Sequence, residues 1–407
     1  LLQLNHDMLM AVIDVLGAHN ELTSFSRTCK VIREFCMPVL FRHCKIKVYH
    51  PVEFENSLEA RRSLSLTMMD YCDNRGKITR PGMLLKHTMD PLLCGVYNPR
   101  ELGTALRNMP RLHAVSMVLC WAEGHGLPWS VLDAVLTVPH LREFTCDHHE
   151  FSPRPIIPKE TKNFTDPPAA LTAFHYIVSD YRHNSRGYPP EADALRIVLG
   201  SLYRTLQIID LPTEPTSLRH ISSLAWPVLR ELRLRGELYP AEDRPVPLIS
   251  ALAHMSALRV LDLRFSVTKG SHVPAPPIWP SGLHATYPWP DLKHLVISYA
   301  NTDDQLFQHL PPTLRRLTLQ YFPHLGPSEW DGINTLPVVS LRRYSSYILH
   351  ILRLCPIPQL DELEVDYHQD GEEYSLLRYI TAAFPALTSL KVRRYCASDA
   401  TDVDVVG

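Results

Sequence analysis

The sequence has 407 residues, of which 45% are hydrophobic, so the chain is long enough for two or three compact domains or for one elongated array. Its formal net charge is −2 and its isoelectric point is near 6.9, which excludes a strong overall field that would attract nucleic acid or an anionic membrane. We therefore expect neither nucleic acid nor a membrane among its partners.

The cysteines and the most apolar segment indicate in which cellular compartment the protein is expected. The nine cysteines form no CxxC pair and are odd in number, which is typical of reduced intracellular thiols rather than of disulfides or a zinc site. Residues 113–132 contain Glu123, two histidines and Pro128, which a membrane-spanning helix would not carry. We expect a protein of the cytoplasm, the nucleus or both. Because the first residue is Leu1 rather than methionine, the sequence is interpreted as part of a longer chain.

Residues 1–45 carry three short amphipathic segments. Each segment predicts a helix, and the apolar residues of the three helices are Met8, Leu9, Val12, Ile13 and Leu16, then Leu22 and Phe25, then Val31, Ile32 and Phe35. Helices of this size form a thin core and usually need a partner or a neighbouring domain to be stable.

From residue 112 onwards one hydrophobic pattern, Leu-x-x-Leu-x-Leu with any bulky apolar residue at each fixed place, returns about every 27 residues. Ten regular copies begin at Leu112, Leu141, Leu171, Leu206, Leu229, Leu258, Leu292, Leu314, Leu360 and Leu387, and a degraded copy begins at Leu341. In LRELRL, leucines alternate with charged residues, so a strand would place leucines on one face and charges on the other. We predict that the regular copies are parallel strands of one sheet, with the third and fifth places after each starting leucine buried.

The segments between the copies have helical periodicity. Leu102, Ala105, Leu106 and Met109 share one face of a helix that is predicted to start at Pro99, and residues 245–255 and 372–384 repeat this arrangement. Strand–helix units that stack side by side build a parallel sheet with helices behind it. The predicted fold class is therefore α/β.

Over residues 46–396 the sequence resembles the leucine-rich-repeat proteins in the pattern and the period of these copies. The asparagine or cysteine that the family has after the strand is mostly absent, and proline-rich insertions at residues 151–168 and 266–290 interrupt the period. The resemblance implies an irregular leucine-rich-repeat solenoid with helices on its convex side. Residues 397–407 would follow it as an acidic tail.

The first 45 residues resemble an F-box in the order of their residues, which are Leu4, Asp7, Met8, Leu9, Val12, Ile13, Leu16, Leu22, Phe25, Ser26, Cys29 and Lys30. Asn5 stands where that family has proline. An F-box followed directly by leucine-rich repeats is the architecture of F-box/leucine-rich-repeat proteins, and the irregular repeats are similar to the fungal type. The alternative is a helical unit that only covers the open end of the repeats.

This resemblance implies a substrate-recognition subunit of an SCF-type cullin-RING E3 ubiquitin ligase, which acts in ubiquitin-dependent protein degradation. The F-box would bind a Skp-type adaptor, and through it a cullin, while the repeats bind the target protein. By residue match, the adaptor-binding positions are Leu4, Met8, Leu9, Val12, Leu16, Leu22 and Cys29. The receptor itself would do no chemistry and would need no cofactor. A leucine-rich-repeat scaffold without a ubiquitin ligase role is the alternative.

Charged residues on the outward face suggest where a target would bind. Equivalent outward residues of neighbouring strands lie about 5 Å apart, and the repeat register places Arg235 beside Arg264 and Arg316 beside Arg343. Adjacent guanidinium groups repel each other unless they are solvated or bind an anion. We interpret these four arginines as a target-binding set for an acidic or phosphorylated segment, with a solvated surface as the alternative.

The same register pairs Arg233 with Asp262 as surface charges, and it makes the outward face of one strand wholly acidic, with Glu362, Glu364 and Asp366. Such charges also serve simply to keep a sheet soluble.

An enzyme is the rival of a different class. Residues 146–150, CDHHE, are of metal-ligand types, but consecutive residues at a strand end do not converge on one ion, so we predict no metal site. The sequence has no Gly-rich phosphate loop, no HExxH and no GxSxG motif. We therefore expect a binding protein.

Overall fold

The computed structural model of the chain forms two compact units, residues 1–179 with 188–206, and residues 180–187 with 207–407. It describes residues 11–13, 15–16, 25, 32, 36, 39, 43–49, 99–120, 127, 129–147, 151, 162–178, 189–237, 246–266, 276–298, 300–320 and 344–395. Each unit is an α/β structure built on a parallel sheet, which is consistent with a solenoid-like fold.

The sheet of the first unit follows the chain order. Its described strands are β1 (His43–Tyr49), β2 (Ala114–Cys120), β3 (Glu143–Asp147) and β4 (Ala173–Ile177), and each pairs in parallel with the next. The helices between them are α1 (Pro99–Arg107), α2 (Trp129–Leu136) and α3 (Pro189–Leu202), which follows β4. The predicted helix at Pro99 is confirmed, and its Leu102 and Leu106 are buried.

The second unit repeats this arrangement. Its strands are β5 (Ile208–Pro212), β6 (Glu231–Glu237), β7 (Val260–Ser266), β8 (His294–Ser298), β9 (Arg316–Gln320), β10 (Glu362–His368) and β11 (Ser389–Tyr395). Its helices are α4 (Leu218–Ser223), α5 (Leu248–Ala251), a 3₁₀ helix (Gln305–His309), α6 (Ser345–Leu354) and α7 (Glu373–Ala383). All pairings between these described strands are parallel.

The ten regular copies of the sequence pattern are confirmed as strands β2 to β11. In the nine copies from Leu112 to Leu360, the side chains at the third and fifth places are at most 3% exposed, and the starting leucine is fully buried. In β11 the same places are Leu390 and Val392, which are 41% and 36% exposed. The leucine face is therefore the core in every repeat except the last described one.

A tight turn positions the starting leucine of most repeats. Its N–H donates to the carbonyl three residues earlier, as in Leu141 to Val138 and Leu360 to Ile357, both at 3.1 Å. The second residue of these turns is often proline, namely Pro110, Pro139, Pro290, Pro312, Pro358 and Pro385. Proline fixes φ near −65°, which suits this turn position, and it has no N–H that needs a partner. The prolines therefore recur because each strand needs the same entry turn.

Directly after the starting leucine, one backbone carbonyl accepts two N–H groups of the next repeat. The carbonyl of Arg230, for example, accepts the N–H of Arg259 at 2.7 Å and that of Val260 at 3.0 Å. Corresponding shared-carbonyl bonds use the carbonyls of His113, Arg142, Gln207, Arg259, Lys293, Arg315 and Asp361. These bonds set where each strand begins relative to its neighbour.

One strand position and one step of the repeat register differ from the sequence analysis. β1 begins at His43, inside the 45 residues that were expected to be helical. The degraded copy at Leu341 supplies no strand between β9 and β10, because these two strands pair directly with each other. Its third and fifth places are Tyr344 and Ser346, which are exposed, so this copy has no apolar pair to bury.

Between β7 and β8 the described residues 276–293 contain turns in place of a helix. The buried carboxylate of Asp304 holds this segment, because it accepts the backbone N–H of Ile278 at 2.6 Å and that of Trp279 at 3.0 Å. It also accepts the N–H of Leu306 at 3.0 Å, which caps the 3₁₀ helix. One side chain therefore joins the proline-rich insertion to the next repeat.

We predict that Asp304→Ala destabilises the protein by about 2–4 kcal/mol, because it leaves several buried N–H groups without an acceptor. The neighbouring Asp303 is exposed, and Asp303→Ala should change the free energy of unfolding by about 0.5 kcal/mol or less. Urea unfolding of both variants tests this. Equal stabilities for the two variants would show that the carboxylate does not hold the insertion.

Candidate functional site

We call the face of β5 to β11 that is opposite the leucines the polar face. Its middle column runs from β5 to β11 as Asp210, Arg233, Asp262, Val296, Thr318, Glu364 and Lys391. Six of these seven residues are polar or charged, and the alternation with buried leucines follows from the strand period of two. This face carries Arg235, Arg264 and Arg316, three of the four arginines that the sequence predicts to bind a target.

Arg235 and Arg264 are neighbours, as predicted, and their Cα positions are paired in the β6–β7 register. Each guanidinium group binds an aspartate of this chain: Arg235 Nη2 lies 3.3 Å from Asp210 Oδ2, and Arg264 Nε lies 2.9 Å from Asp262 Oδ1. Both aspartate side chains are nearly fully buried, whereas about a third of each arginine side chain is exposed. The anions that the arginine pair requires are therefore supplied by the polar face itself.

Arg233 and Asp262 are also neighbours in the predicted register. The guanidinium of Arg233 nevertheless binds the carboxylate of Glu231, two residues earlier on the same strand, and Asp262 binds Arg264. Ion pairs between residues of the same strand thus form in place of the predicted ion pair between Arg233 and Asp262, because the side chains of residues i and i+2 lie on the same face.

The position of Arg316 corrects the second predicted arginine pair. Its neighbours in the register are His294 on β8 and Glu362 on β10, and its Nη2 lies 3.0 Å from Glu362 Oε1. The adjacent strand is β10 rather than the segment that starts at Leu341, so an acidic residue faces Arg316 where an arginine was expected. Arg343 lies outside the described residues.

The acidic residues of β10 are matched by basic residues on both neighbouring strands. Lys391 Nζ lies 2.9 Å from Glu364 Oε1, and Arg393 contacts Glu364 at 2.7 Å and Asp366 at 3.2 Å. Asp366 is buried, so this pair is shielded from solvent more than the pair of Arg316 and Glu362. The column of β10 is acidic as predicted, and it is balanced by cations.

Part of the polar face is a buried polar layer that the sequence pattern does not reveal. Ser298, Thr318 and Gln320 are all less than a tenth exposed. The hydroxyl of Ser298 donates to the carbonyl of Phe265 at 2.6 Å, which ties β8 to the end of β7. The accessible charged groups of this face therefore lie mainly on β9, β10 and β11, where Arg316, Glu362 and Lys391 are each about half exposed.

His294 lies among these charges, between Val260 and Arg316 in the register. Burial lowers the pKa of its imidazole, and the guanidinium groups of Arg316, Arg233 and Arg264 lower it further. The carboxylate of Asp262 acts in the opposite direction. The net effect favours the neutral form of His294, chiefly because burial disfavours the charged imidazolium.

Described residues of the N-terminal region are helical and form an apolar cluster. Ile13, Ile32 and Cys36 are buried together, and Leu16, Phe25 and Val39 pack against them. Of the predicted adaptor-binding residues, Val12 is half-buried and Leu16 supports the cluster, while Leu4, Met8, Leu9, Leu22 and Cys29 lie outside the described residues. Val15, which the sequence analysis did not single out, is 59% exposed.

Thiols and possible metal ligands bear on the enzymatic alternative. Cys36, Cys146 and Cys355 are buried cysteines, and burial raises the pKa of the Cys36 and Cys355 thiols. Cys146 is on the leucine face, whereas His148 to Glu150 lie outside the described residues. Within the described ranges, no group of three or more histidine, cysteine, aspartate or glutamate side chains is placed to hold a metal ion.

No protein-family model matches the sequence, and no curated protein sequence matches it. Among the helices that the structure describes, none has the length and apolar character needed to cross a membrane.

The buried pair of Asp262 and Arg264 should contribute more to folding than the exposed pair of Arg316 and Glu362. Arg264→Met leaves a buried carboxylate without its nearest cation, and we expect a destabilisation of about 1–3 kcal/mol, with Asp262→Asn in the same chain restoring part of it. For Arg316→Met with Glu362→Gln, the coupling should stay below about 1 kcal/mol. Double-mutant cycles by urea unfolding measure both, and equal coupling energies would contradict this ranking.

Acidification should destabilise the protein through His294. Because the pKa of His294 is lower in the folded state than its unfolded value of about 6.5, the unfolded chain binds the proton more tightly, and stability falls as the pH drops below that value. We predict that His294→Gln loses less thermal stability than the parent between pH 7.5 and pH 5.5, values that bracket about 6.5. His254→Gln, at an exposed histidine, is the control. Identical losses in all three proteins would remove His294 from the explanation.

Proposed function

We propose that this chain is the substrate-recognition subunit of an SCF-type E3 ubiquitin ligase, in which an F-box binds a Skp-type adaptor and leucine-rich repeats bind the target protein. One observation supports it above the others: a small apolar helical cluster around Ile13, Ile32 and Cys36 precedes parallel strand–helix repeats in the same chain. In this proposal the protein works in the cytoplasm or nucleus and leaves the chemistry to the other subunits.

The repeats support a binding role through their construction. Each strand of the second unit places its outward residues beside those of the next strand at a fixed register, so residues distant in sequence form one surface. The surface is dense in charge, and its charges are held by neighbours such as Asp262 and Glu364. Charged groups that are already oriented lose less side-chain entropy when a partner binds.

The exposed charges indicate how a target would be contacted. Arg316 is 55% exposed, which leaves its guanidinium more accessible than those of Arg235 and Arg264. An acidic or phosphorylated target segment remains our prediction, and we now expect Arg316 to contribute most of the contact. At Arg235 and Arg264 a target anion would have to compete with a buried aspartate of the chain itself.

For the adaptor, Val15 extends the predicted set. It lies on the same helical segment as Val12 and Leu16, but its side chain points to solvent, whereas Leu16 packs on the cluster. An exposed apolar residue beside a thin core gives a partner protein apolar surface to cover. We expect substitution of Val15 to disturb the fold less than substitution of Leu16.

We predict that Val15→Asp abolishes co-purification of the Skp-type adaptor with the full chain, because a charge would be buried at the centre of the interface. Val246→Asp is the matched control, since Val246 is an exposed valine in the second unit. Circular dichroism and urea unfolding show whether each variant is folded. Adaptor binding by the folded Val15→Asp chain at parental affinity would exclude this face as the adaptor site.

Failure of the parent chain itself to bind any Skp-type adaptor would contradict the ligase assignment and leave a repeat scaffold without a ubiquitin role. A chain that lacks residues 1–42 complements the point variants, because it retains all of β1, which begins at His43. Partners that are lost on this truncation belong to the N-terminal module, and partners that are kept belong to the repeats.

A further inference from the structure

The last described strand, β11, has one open edge. It pairs with β10, and the N–H of Ser389 donates to the carbonyl of Asp361 at 3.1 Å. In a parallel ladder alternate residues point both backbone groups to the same neighbour, so the N–H and C=O groups of Leu390 and Val392 point away from β10. Within the part of the chain that the structure describes, no strand pairs with that side. Such an edge is a template for another extended segment.

The side chains at this edge are also exposed where the other repeats are buried. Leu390 and Val392 are 41% and 36% exposed, whereas their equivalents in β10, Leu363 and Val365, are at most 1% exposed. On helix α7, Tyr374 and Leu377 are exposed too, and they are three residues apart and share a helix face. The end of the second unit therefore presents apolar residues beside the open backbone groups.

The charges of the polar face indicate which charge a segment bound next to β11 would carry. In the register, Arg316 lies opposite Glu362, Glu364 opposite Lys391, and Asp366 opposite Arg393. On this face β9 thus carries one basic residue, β10 carries three acidic residues and β11 carries two basic residues. Since opposite charges on adjacent strands stabilise a sheet, a segment on the open side of β11 would continue this order with acidic residues beside Lys391 and Arg393.

We propose that the open edge of β11 binds an extended segment of a partner protein in which apolar and acidic residues alternate. The backbone of the segment bonds with the outward groups of Leu390 and Val392, and its apolar side chains cover these two residues. Its acidic side chains lie beside Lys391 and Arg393, which also bind Glu364 and Asp366 of β10. This inference deepens the proposed function and rests on it, since the edge would be one of the places where the repeats hold their target.

A second copy of this chain fits the edge less well. Pairing of β11 with another β11 would bring Lys391, Arg393 and Arg394 of one chain close to the same residues of the other. Like charges on adjacent strands are destabilising. The basic character of the strand therefore favours a different, acidic occupant.

The test uses the full chain and a fluorescent synthetic peptide of about nine residues, a usual strand length, in which valine alternates with aspartate or glutamate. A peptide of the same composition with its valines and its acids in separate blocks is the control ligand. Fluorescence anisotropy should show that the alternating peptide binds at least about tenfold more tightly than the block peptide, and that added salt weakens it.

Two variants locate the binding. Val392→Pro removes an outward N–H without removing a bond to β10, a position where an edge strand tolerates proline, and Leu390→Asp places a like charge beside the acidic peptide. Each should weaken peptide binding by about tenfold or more. Val392→Thr keeps the N–H and the branched side chain, and it should bind almost as the parent does. Urea unfolding confirms that the variants are folded.

Equal affinity for the two peptides, no binding of the alternating peptide, or unchanged binding in folded Val392→Pro would overturn the proposal. A dimer of the parent that dissociates in Val392→Pro, measured by sedimentation, would assign the edge to a second copy instead. Residues 402–405 are Asp-Val-Asp-Val, which is the alternation proposed for the partner segment. If the parent does not bind the alternating peptide but the chain with Asp402→Lys and Asp404→Lys does, the edge would be assigned to residues 402–405 of this chain instead.

The adaptor experiment keeps this inference separate from the proposed function. Val392→Pro should leave adaptor co-purification unchanged, and Val15→Asp should leave peptide binding unchanged, because the two residues lie in different units. If the parent chain binds no adaptor but distinguishes the two peptides, only the ligase assignment is contradicted. If it binds the adaptor but does not distinguish the two peptides, only the role of the β11 edge is contradicted.

Discussion

The backbone carbonyl that follows the starting leucine in eight of the ten regular copies is the point on which the repeats depend. In both units it accepts two N–H groups of the next repeat at distances of 2.7–3.1 Å, for example from Arg142 and Glu143 onto His113. These bonds involve no side chain, so they tolerate the irregular spacing between copies. They fix the register, and a slip by one residue would move every charged side chain to the leucine face. Unequal loops can therefore be inserted between strands that still begin level with one another.

A fixed register also decides what the polar face must contain. Charged residues cannot move out of their columns, so each has to be balanced by groups within reach. Asp210 and Asp262 are nearly fully buried, and burial of a carboxylate is costly unless a cation is adjacent. Arg235 and Arg264 supply that cation and keep about a third of their side chains in solvent. The sequence therefore suggests an anion site at Arg235 and Arg264, whereas in the folded protein each of these arginines forms an ion pair with an aspartate of the same chain.

The sequence predicts some of these features well because they depend on spacing alone. The leucine pattern predicts the positions of β2 to β11 and the buried third and fifth places of the copies. The same pattern, counted residue by residue, also predicts that Arg235 and Arg264 are neighbours. The ion pairs do not follow, because Arg235 reaches diagonally to Asp210, and Arg264 reaches along its own strand to Asp262. β1 was missed because its segment, HCKIKVY, lacks the leucine pattern. The hold of Asp304 on the insertion involves residues 25 and 26 positions apart, which no local pattern reveals.

The final repeat shows that the burial of a side chain depends both on the leucine pattern and on a neighbouring repeat. Leu363 and Leu390 occupy the same place in consecutive copies, yet the first is 1% exposed and the second 41%. The pattern sets the face to which a side chain points, whereas burial also requires a repeat on the far side. Full coverage of Leu390 and Val392 would contribute on the order of 2–3 kcal/mol. Ordering an extended segment would consume much of this gain, so apolar contact alone would bind weakly. Specific binding at this edge therefore depends on the ladder bonds and on the charges of Lys391 and Arg393, which select the register of the segment as well as its composition.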